Sequence, residues 1–228
     1  MRTIAISLGG SIIHPESGFN VNYVKQFCGI IRRERGIKFV ISVGGGHAAR
    51  TAIGAVSSVI RNKLLLDEIG IAMTRTNAMA LKNIMLEYGM DVAPIVPATL
   101  NEFKELHTRH RITVFGGFVE GVTTDADAML AAEASGAKTL INIGMTAYVY
   151  DRNPSERGAR ALKRLSHEEI VGLAERFDRR EAKSDFIFDV VASLLAARSK
   201  VKVLFVGPEI KDFEAAIHGR QHNGTTVD

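Results

Sequence analysis

The sequence predicts an α/β fold with a mainly parallel sheet covered by helices. Three observations predict it: apolar runs of strand length, glycine-rich turns directly after them, and helical hydrophobic spacing behind each turn. The first run, Thr3 to Leu8 (TIAISL), ends at Gly9-Gly10-Ser11. Val24, Phe27, Cys28 and Ile31 then recur at helical spacing, and Gly36 is expected to end that helix as a C-cap. Ile37 to Val43 (IKFVISV) is the second strand, stopped by Gly44-Gly45-Gly46, and HAARTAIGAVSSVI is the helix behind it. Asp91 to Val96 is a short strand, which Pro94 places at an edge or makes irregular. Arg111 to Phe115 is the next, ended by Gly116-Gly117. Thr123-Thr124-Asp125 caps a helix running through Ala134 and closed by Gly136. Lys138 to Ile143 is a strand, and Ser166 to Glu169 forms a capping box for SHEEIVGLAERF. Val190 to Ala197 is a helix and Val201 to Val206 an apolar strand closed by Gly207-Pro208. HNGTTV is a turn running into a last short strand, and Asn153 to Arg160 is the loop that best marks a division between two lobes.

One segment resists this simple reading. Ile69 to Lys82 (IGIAMTRTNAMALK) interrupts an apolar run with Thr74, Arg75, Thr76 and Asn77. Either Thr74 or Thr76 caps a new helix, or the four polar groups form a surface for a ligand or partner.

The bulk numbers exclude several classes. The 228 residues are enough for one large domain or two small lobes, and 46% hydrophobic with 24% charged residues is ordinary globular composition. No apolar run reaches the roughly 20 residues that span a membrane. The N-terminus lacks a cleavable signal pattern, and the lone Cys28 excludes an intrachain disulfide framework, so a cytoplasmic protein is expected. The net charge of +4 and pI of about 9.3 come from basic residues spread along the chain, with no Trp and 7% aromatics. That disfavours nucleic acid and suits a small anionic substrate. The seven histidines show no zinc spacing, and no GxSxG is present.

The chemistry-bearing pattern is the set of glycine clusters at strand ends. In a parallel sheet these ends share one edge, where backbone N–H groups and helix N-termini receive phosphates. None of the clusters fits GxxxxGK[ST] or GxGxxG, which disfavours a P-loop and a dinucleotide site. Arg50, four residues after Gly46, is either a phosphate fork or a surface arginine. Asp125 is placed to orient a cation, a lysine or a ribose hydroxyl. Asp189 interrupts FIFDVVASLL, and acids are seldom buried unpaired, so it needs a partner or a role.

Six stretches together resemble the amino-acid kinase family, and within it the archaeal-type UMP kinases. They are SLGGS (Ser7 to Ser11), VGGGHAAR (Val43 to Arg50), DEIGIAMTRTNAM (Asp67 to Met79), TTDADAMLAAE (Thr123 to Glu133), YDRNP (Tyr150 to Pro154) and HNGTT (His222 to Thr226). The resemblance implies a three-layer α/β sandwich around a central, mainly parallel eight-stranded sheet. It implies one domain over residues 1–228, with the UMP side and dimer contact in 1–135 and the ATP side in 136–228. It implies transfer of the γ-phosphoryl of ATP to UMP with Mg²⁺, in a homohexamer built from dimers. The family also holds catalytically weak nucleotide-binding and storage relatives and kinases for other small acceptors, which remain alternatives.

By the same resemblance, Gly9, Gly10 and Ser11 hold donor phosphates, and Gly44, Gly45 and Arg50 lie between donor and acceptor phosphates. Asp67 accepts hydrogen bonds from the ribose, with the 74–79 helix along the acceptor site and the subunit contact. Phe115, Gly116, Gly117, Phe118, Val119, Glu120 and Gly121, with Thr123 and Thr124, contact UMP. Gly144, Tyr150 and Asn153 fall on the ATP nucleoside side. Asp125 organises the cations and Asp189 lies near the transferred phosphoryl. Five positions depart from the pattern. Ser7 and His47 stand where many relatives carry lysine, and Ala147-Tyr148 and Asn153 stand where relatives show Asp-Gly and Asp. Lys183 is a candidate substitute for the missing cations.

Overall fold

The computed structural model describes residues 1–177 and 187–228. The strands are β1 (Arg2–Leu8), β2 (Ile37–Val43), β3 (Ile112–Phe115), β4 (Thr139–Ile143), β5 (Val149–Tyr150), β6 (Ala161–Leu162), β7 (Arg164–Leu165), β8 (Lys202–Val206) and β9 (Thr226–Val227). The helices are α1 (Gly10–Ile13), α2 (Val21–Arg33), α3 (Gly46–Val56), α4 (Lys63–Glu87), α5 (Leu100–Arg109), α6 (Thr124–Ser135), α7 (His167–Phe177), α8 (Val190–Ser199) and α9 (Ile210–Ile217).

Among the described residues the main sheet has seven strands in the order β3-β2-β1-β4-β8-β9-β7, and β5 and β6 pair separately. The pairings β3/β2, β2/β1, β1/β4 and β4/β8 are parallel, so their C-terminal ends share one edge. The chain leaves β1 towards β2 on one side and returns to β4 on the other. The crevice between β1 and β4 is therefore a topological switch point, the usual ligand position in such sheets.

Strand alternation builds a core on each face. Ile4, Ile6, Leu8, Phe39, Ile41, Val43, Ile141 and Ile143 pack on one side, with α2 and the C-terminal half of α4. Ala5, Val40, Leu140, Val203 and Phe205 pack on the other, against the small-residue face of α6 and against α8. Residues 2–8 and 37–43 are thus the near-continuous apolar strands that two-sided burial demands.

The short strand expected at Asp91 to Val96 is reduced to a bridge. Val92 pairs with Ile112, and Ala93 donates to the Ile112 carbonyl at 2.8 Å, but Pro94 has no N–H with which to continue the ladder. Gly36 does not cap α2: the cap is Glu34, and Gly36 does not take the left-handed conformation. Gly136 does so at φ +70°, closing α6 as expected. Ser166 and Glu169 form the expected reciprocal box, at 2.7 and 3.1 Å. Lys183 lies outside the described residues. No described helix is long and apolar enough to cross a membrane.

Candidate active site at the sheet edge

The interrupted segment turns out to be uninterrupted. α4 runs 25 residues from Lys63 to Glu87, and neither Thr74 nor Thr76 caps anything. Both hydroxyls are absorbed inside the helix, Thr74 Oγ1 donating to the Ile71 carbonyl at 2.6 Å and Thr76 Oγ1 to Ala72 at 2.9 Å. The cap expectation is corrected for that reason.

What the polar groups do is grip the strand-end turns. Thr74 Oγ1 also accepts the Gly117 N–H at 2.8 Å. Arg75 donates to the carbonyls of Gly117 (3.1 Å) and Ala98 (2.9 Å). Asn77, 3% exposed, donates to the carbonyls of Gly44 (2.9 Å) and Gly45 (3.1 Å). One helical turn thereby fixes the turns after β2 and β3.

Glycine is needed at these turns for packing. A Cβ on Gly10 would fall 2.1 Å from the Gly46 nitrogen, so the β1 and β2 turns touch backbone to backbone. A Cβ on Gly116 would fall 2.5 Å from Thr74 Oγ1.

The N-terminus of α6 docks on a polar row that crosses the sheet. Ser42, Ser7 and Asn142 are register partners on β2, β1 and β4. Ser42 Oγ donates to the Thr124 carbonyl at 3.0 Å. Ser7 Oγ (2.5 Å) and Asn142 Nδ2 (2.7 Å) both donate to Asp125 Oδ1. Thr123 caps α6 by accepting from the Ala126 N–H at 3.2 Å, and its hydroxyl donates to Asp189 Oδ2. Asp189 in turn caps α8, Oδ1 accepting from Val191 (2.8 Å) and Ala192 (3.0 Å). That is the partner its burial required. Asp125, Asp189 and Thr123 therefore form one cluster, held between the positive ends of two helix dipoles.

Burial pushes the Asp125 carboxyl up to about 7; the Asp189 charge adds to the rise, and the Ser7 and Asn142 hydrogen bonds oppose it. The Ser7 hydroxyl and the Asn142 amide are the side-chain donors this acid receives among the described residues. Asp127, two residues on, escaped sequence reasoning. It is fully buried, accepts the Phe118 N–H on Oδ2 at 3.0 Å, and leaves Oδ1 without a partner. Burial also pushes it up to about 7; the Phe118 bond and the Arg75 charge oppose the rise, and Asp189 adds to it.

The remaining expected residues divide into near and far. Asp67 Oδ2 accepts the Gly121 N–H at 3.0 Å, drawing the 116–121 loop towards α4. Phe115 and Phe118 stack at 4.8 Å in the core, so only their backbone faces the site, while Val119 is exposed and Glu120 partly so. Arg50 reaches Ser11 Oγ at 3.4 Å. Gly9 and Gly144 extend the ladder at the switch point, donating to Ile143 (2.8 Å) and Val206 (3.0 Å). Tyr150 pairs with Ala161 in the small sheet, and Asn153 Oδ1 accepts from Ser155 N (2.9 Å) and Oγ (2.7 Å), folding its loop on itself. Thr225 of HNGTT ties this region down: its N–H donates to Ala147 O at 3.1 Å, and its Oγ1 accepts from Val149 N at 2.8 Å. Asn142 was legible only as a polar residue inside KTLINI, and Ser42 as a serine inside IKFVISV.

A family model for the amino acid kinase family matches residues 2–206. The chain belongs to the amino acid kinase family. Similar members include a uridylate kinase from Thermoplasma volcanium, 33% identical over all of this chain and 98% of that one. Another, from Methanopyrus kandleri, is 33% identical over 98% of each chain. The crystal structure of a uridylate kinase from Archaeoglobus fulgidus superposes with a TM-score of 0.84 at 30% identity, covering both chains fully. The UMP kinase of Bacillus anthracis shares the fold, with a TM-score of 0.75 at 18% identity over all of this chain and 96% of that one. Membership accounts for the parallel sheet and the switch-point crevice. Among the described residues the main sheet has seven strands where the resemblance implied eight.

Proposed function

We propose that this family member is a uridylate kinase, transferring the γ-phosphoryl of ATP to UMP to give UDP and ADP in pyrimidine nucleotide synthesis in the cytoplasm. The observation that carries the reading is full-length similarity to uridylate kinases, joined to five glycine-bearing strand ends and two acids on one sheet edge.

A UMP phosphate oxygen attacks the γ-phosphorus in line, a new P–O bond forms, and the bond to the β–γ bridging oxygen breaks as ADP leaves. The acceptor is already an anion, so no general base is needed; positioning and charge neutralisation do the work. Gly9, Gly10, Ser11 and Gly45 hold donor phosphates, with Gly144, Tyr150 and Asn153 towards the nucleoside. Gly44, Asp67, Phe115 to Gly121, Thr123 and Thr124 hold UMP, and Arg50 bridges the two phosphates. This divides the chain into a UMP side (1–135) and an ATP side (136–228).

The donor set fits Mg²⁺. Among the described residues no three acids or histidines gather to hold a metal unaided, but Mg²⁺ with ATP needs only one or two carboxylates beside the phosphates. Asp125, with Asp189 beside it, would supply those carboxylates, and the ion would neutralise charge on the transferring group. Assembly through α4 into dimers, and dimers into a hexamer, is supported by exposed Leu65, Met79 and Leu86, which share one face of that helix at fourteen- and seven-residue spacings.

The test is ADP release from Mg-ATP with UMP, CMP, carbamate, acetylglutamate and isopentenyl phosphate in parallel. Turnover with UMP alone is expected. Tight UMP binding without turnover would instead make this a nucleotide-binding relative, and turnover with another acceptor would reassign the substrate.

A further inference from the structure

The glycine turn after β2 is held by a two-residue relay that begins at His14, outside every stretch so far given a role. Asn77 is the middle of it. Its Nδ2 faces two backbone carbonyls, Gly44 O and Gly45 O, so its amide orientation is fixed: an oxygen there would face two other oxygens. Its Oδ1 must then point the other way, and it lies 3.0 Å from His14 Nδ1. An amide oxygen only accepts, so the His14 ring carries its hydrogen on Nδ1. The imidazole is set edge-on against Phe19, with ring centroids 6.2 Å apart. The His14 carbonyl also accepts the His47 N–H at 2.8 Å, tying the same residue to the first turn of α3.

The consequence lies in the peptide planes. Peptides are planar and trans, so a carbonyl turned towards α4 turns the following N–H away from it. Holding Gly44 O and Gly45 O therefore aims the Gly45 and Gly46 N–H groups away from α4. The Gly46 nitrogen lies against Gly10, on the side of the β1 turn. These are the amides of the N-cap and first residue of α3, and neither donates to a backbone acceptor among the described residues. Without the His14 donor, Asn77 can rotate about its side-chain bonds and release the two carbonyls.

We propose that His14 is a positioning residue for phosphoryl transfer, acting through Asn77 to fix the orientation of the Gly45 and Gly46 amides. This rests on the proposed kinase reading, in which that turn lies between donor and acceptor phosphates. Removing a donor aimed at developing charge costs about 10²–10³ in rate; here the donors stay and only their aim loosens, so about tenfold is expected.

The experiment compares His14→Leu with His14→Asn in the full chain. The two replacements share a shape, and the asparagine amide nitrogen takes the place of Nδ1. The leucine variant should lose about tenfold in kcat, with KM for UMP and ATP within about twofold of wild type. The asparagine variant should recover most of the loss, and both should melt within a few degrees of wild type. Wild-type kcat in His14→Leu, or equal loss in both variants, overturns the relay. If the wild-type protein turns over no acceptor, the kinase reading fails separately. The relay is then read by the amide NMR shifts of Gly45 and Gly46 on the same three proteins: shifts moved in His14→Leu and restored in His14→Asn uphold it, and unmoved shifts reject it.

Discussion

Asp127→Asn is the most informative single substitution for stability. Asp127 is fully buried, one oxygen takes the Phe118 N–H, and the other has no partner. Its carboxyl is raised from 3.8 to about 7, chiefly by burial. The native state therefore binds this proton more tightly than the unfolded chain. The stabilisation is fully present below the unfolded value and is lost as pH rises through about 7. A gap of about three units corresponds to about 4 kcal/mol. Asparagine keeps the shape and the acceptor for Phe118 but cannot ionise. It buries an amide group without an acceptor, at about 1–3 kcal/mol regardless of pH. The variant should be less stable than wild type at pH 4 and more stable at pH 8. Between pH 5 and 8 the difference should swing by about 3 kcal/mol. Asp125 carries a similar upward shift in both proteins and cancels. Urea midpoints at the two pH values measure the swing. A difference that stays constant with pH would falsify the claim that burial keeps this carboxyl protonated.

Two further outcomes follow from packing. Gly10→Ala places a methyl 2.1 Å from the Gly46 nitrogen, where only backbone can give way, so a loss of about 3 kcal/mol or more in urea stability and a collapse of turnover are expected; a variant of wild-type stability would mean the two turns do not touch. Cys28 is buried on α2 and its thiol is pushed up to about 12 by burial, so Ellman's reagent should label it only after denaturant is added; fast labelling of the native protein would contradict the packing of α2.

The sheet was largely legible because its strands are buried on both faces. Residues 37–43 and 202–206 read as strands without help from any distant residue. The candidate site was legible in its glycines, in Thr123 and in the two acids, since caps and turns leave local signatures. What stayed hidden depends on register. Ser42, Ser7 and Asn142 form a row only because three strands far apart in sequence align. Asp127 is unusual only because Phe118 folds back over it. The α4 segment misled because threonine at a helix start and threonine bonding back into its own helix look alike in one dimension. Pro94 marked an irregular strand, but not that pairing would shrink to a single bridge.

The length of α4 has a mechanical consequence. A 25-residue helix spans about 37 Å, and its grip on the two turns comes from Thr74, Arg75 and Asn77, within one turn of its middle. The spacing between the turns after β2 and β3 is therefore a property of one rigid rod, independent of either loop. A push at either end of α4, where Leu65 and Leu86 are exposed, tilts both turns together. Two ligands seated on those turns would feel a neighbouring molecule as a joint displacement of both subsites, with their separation unchanged.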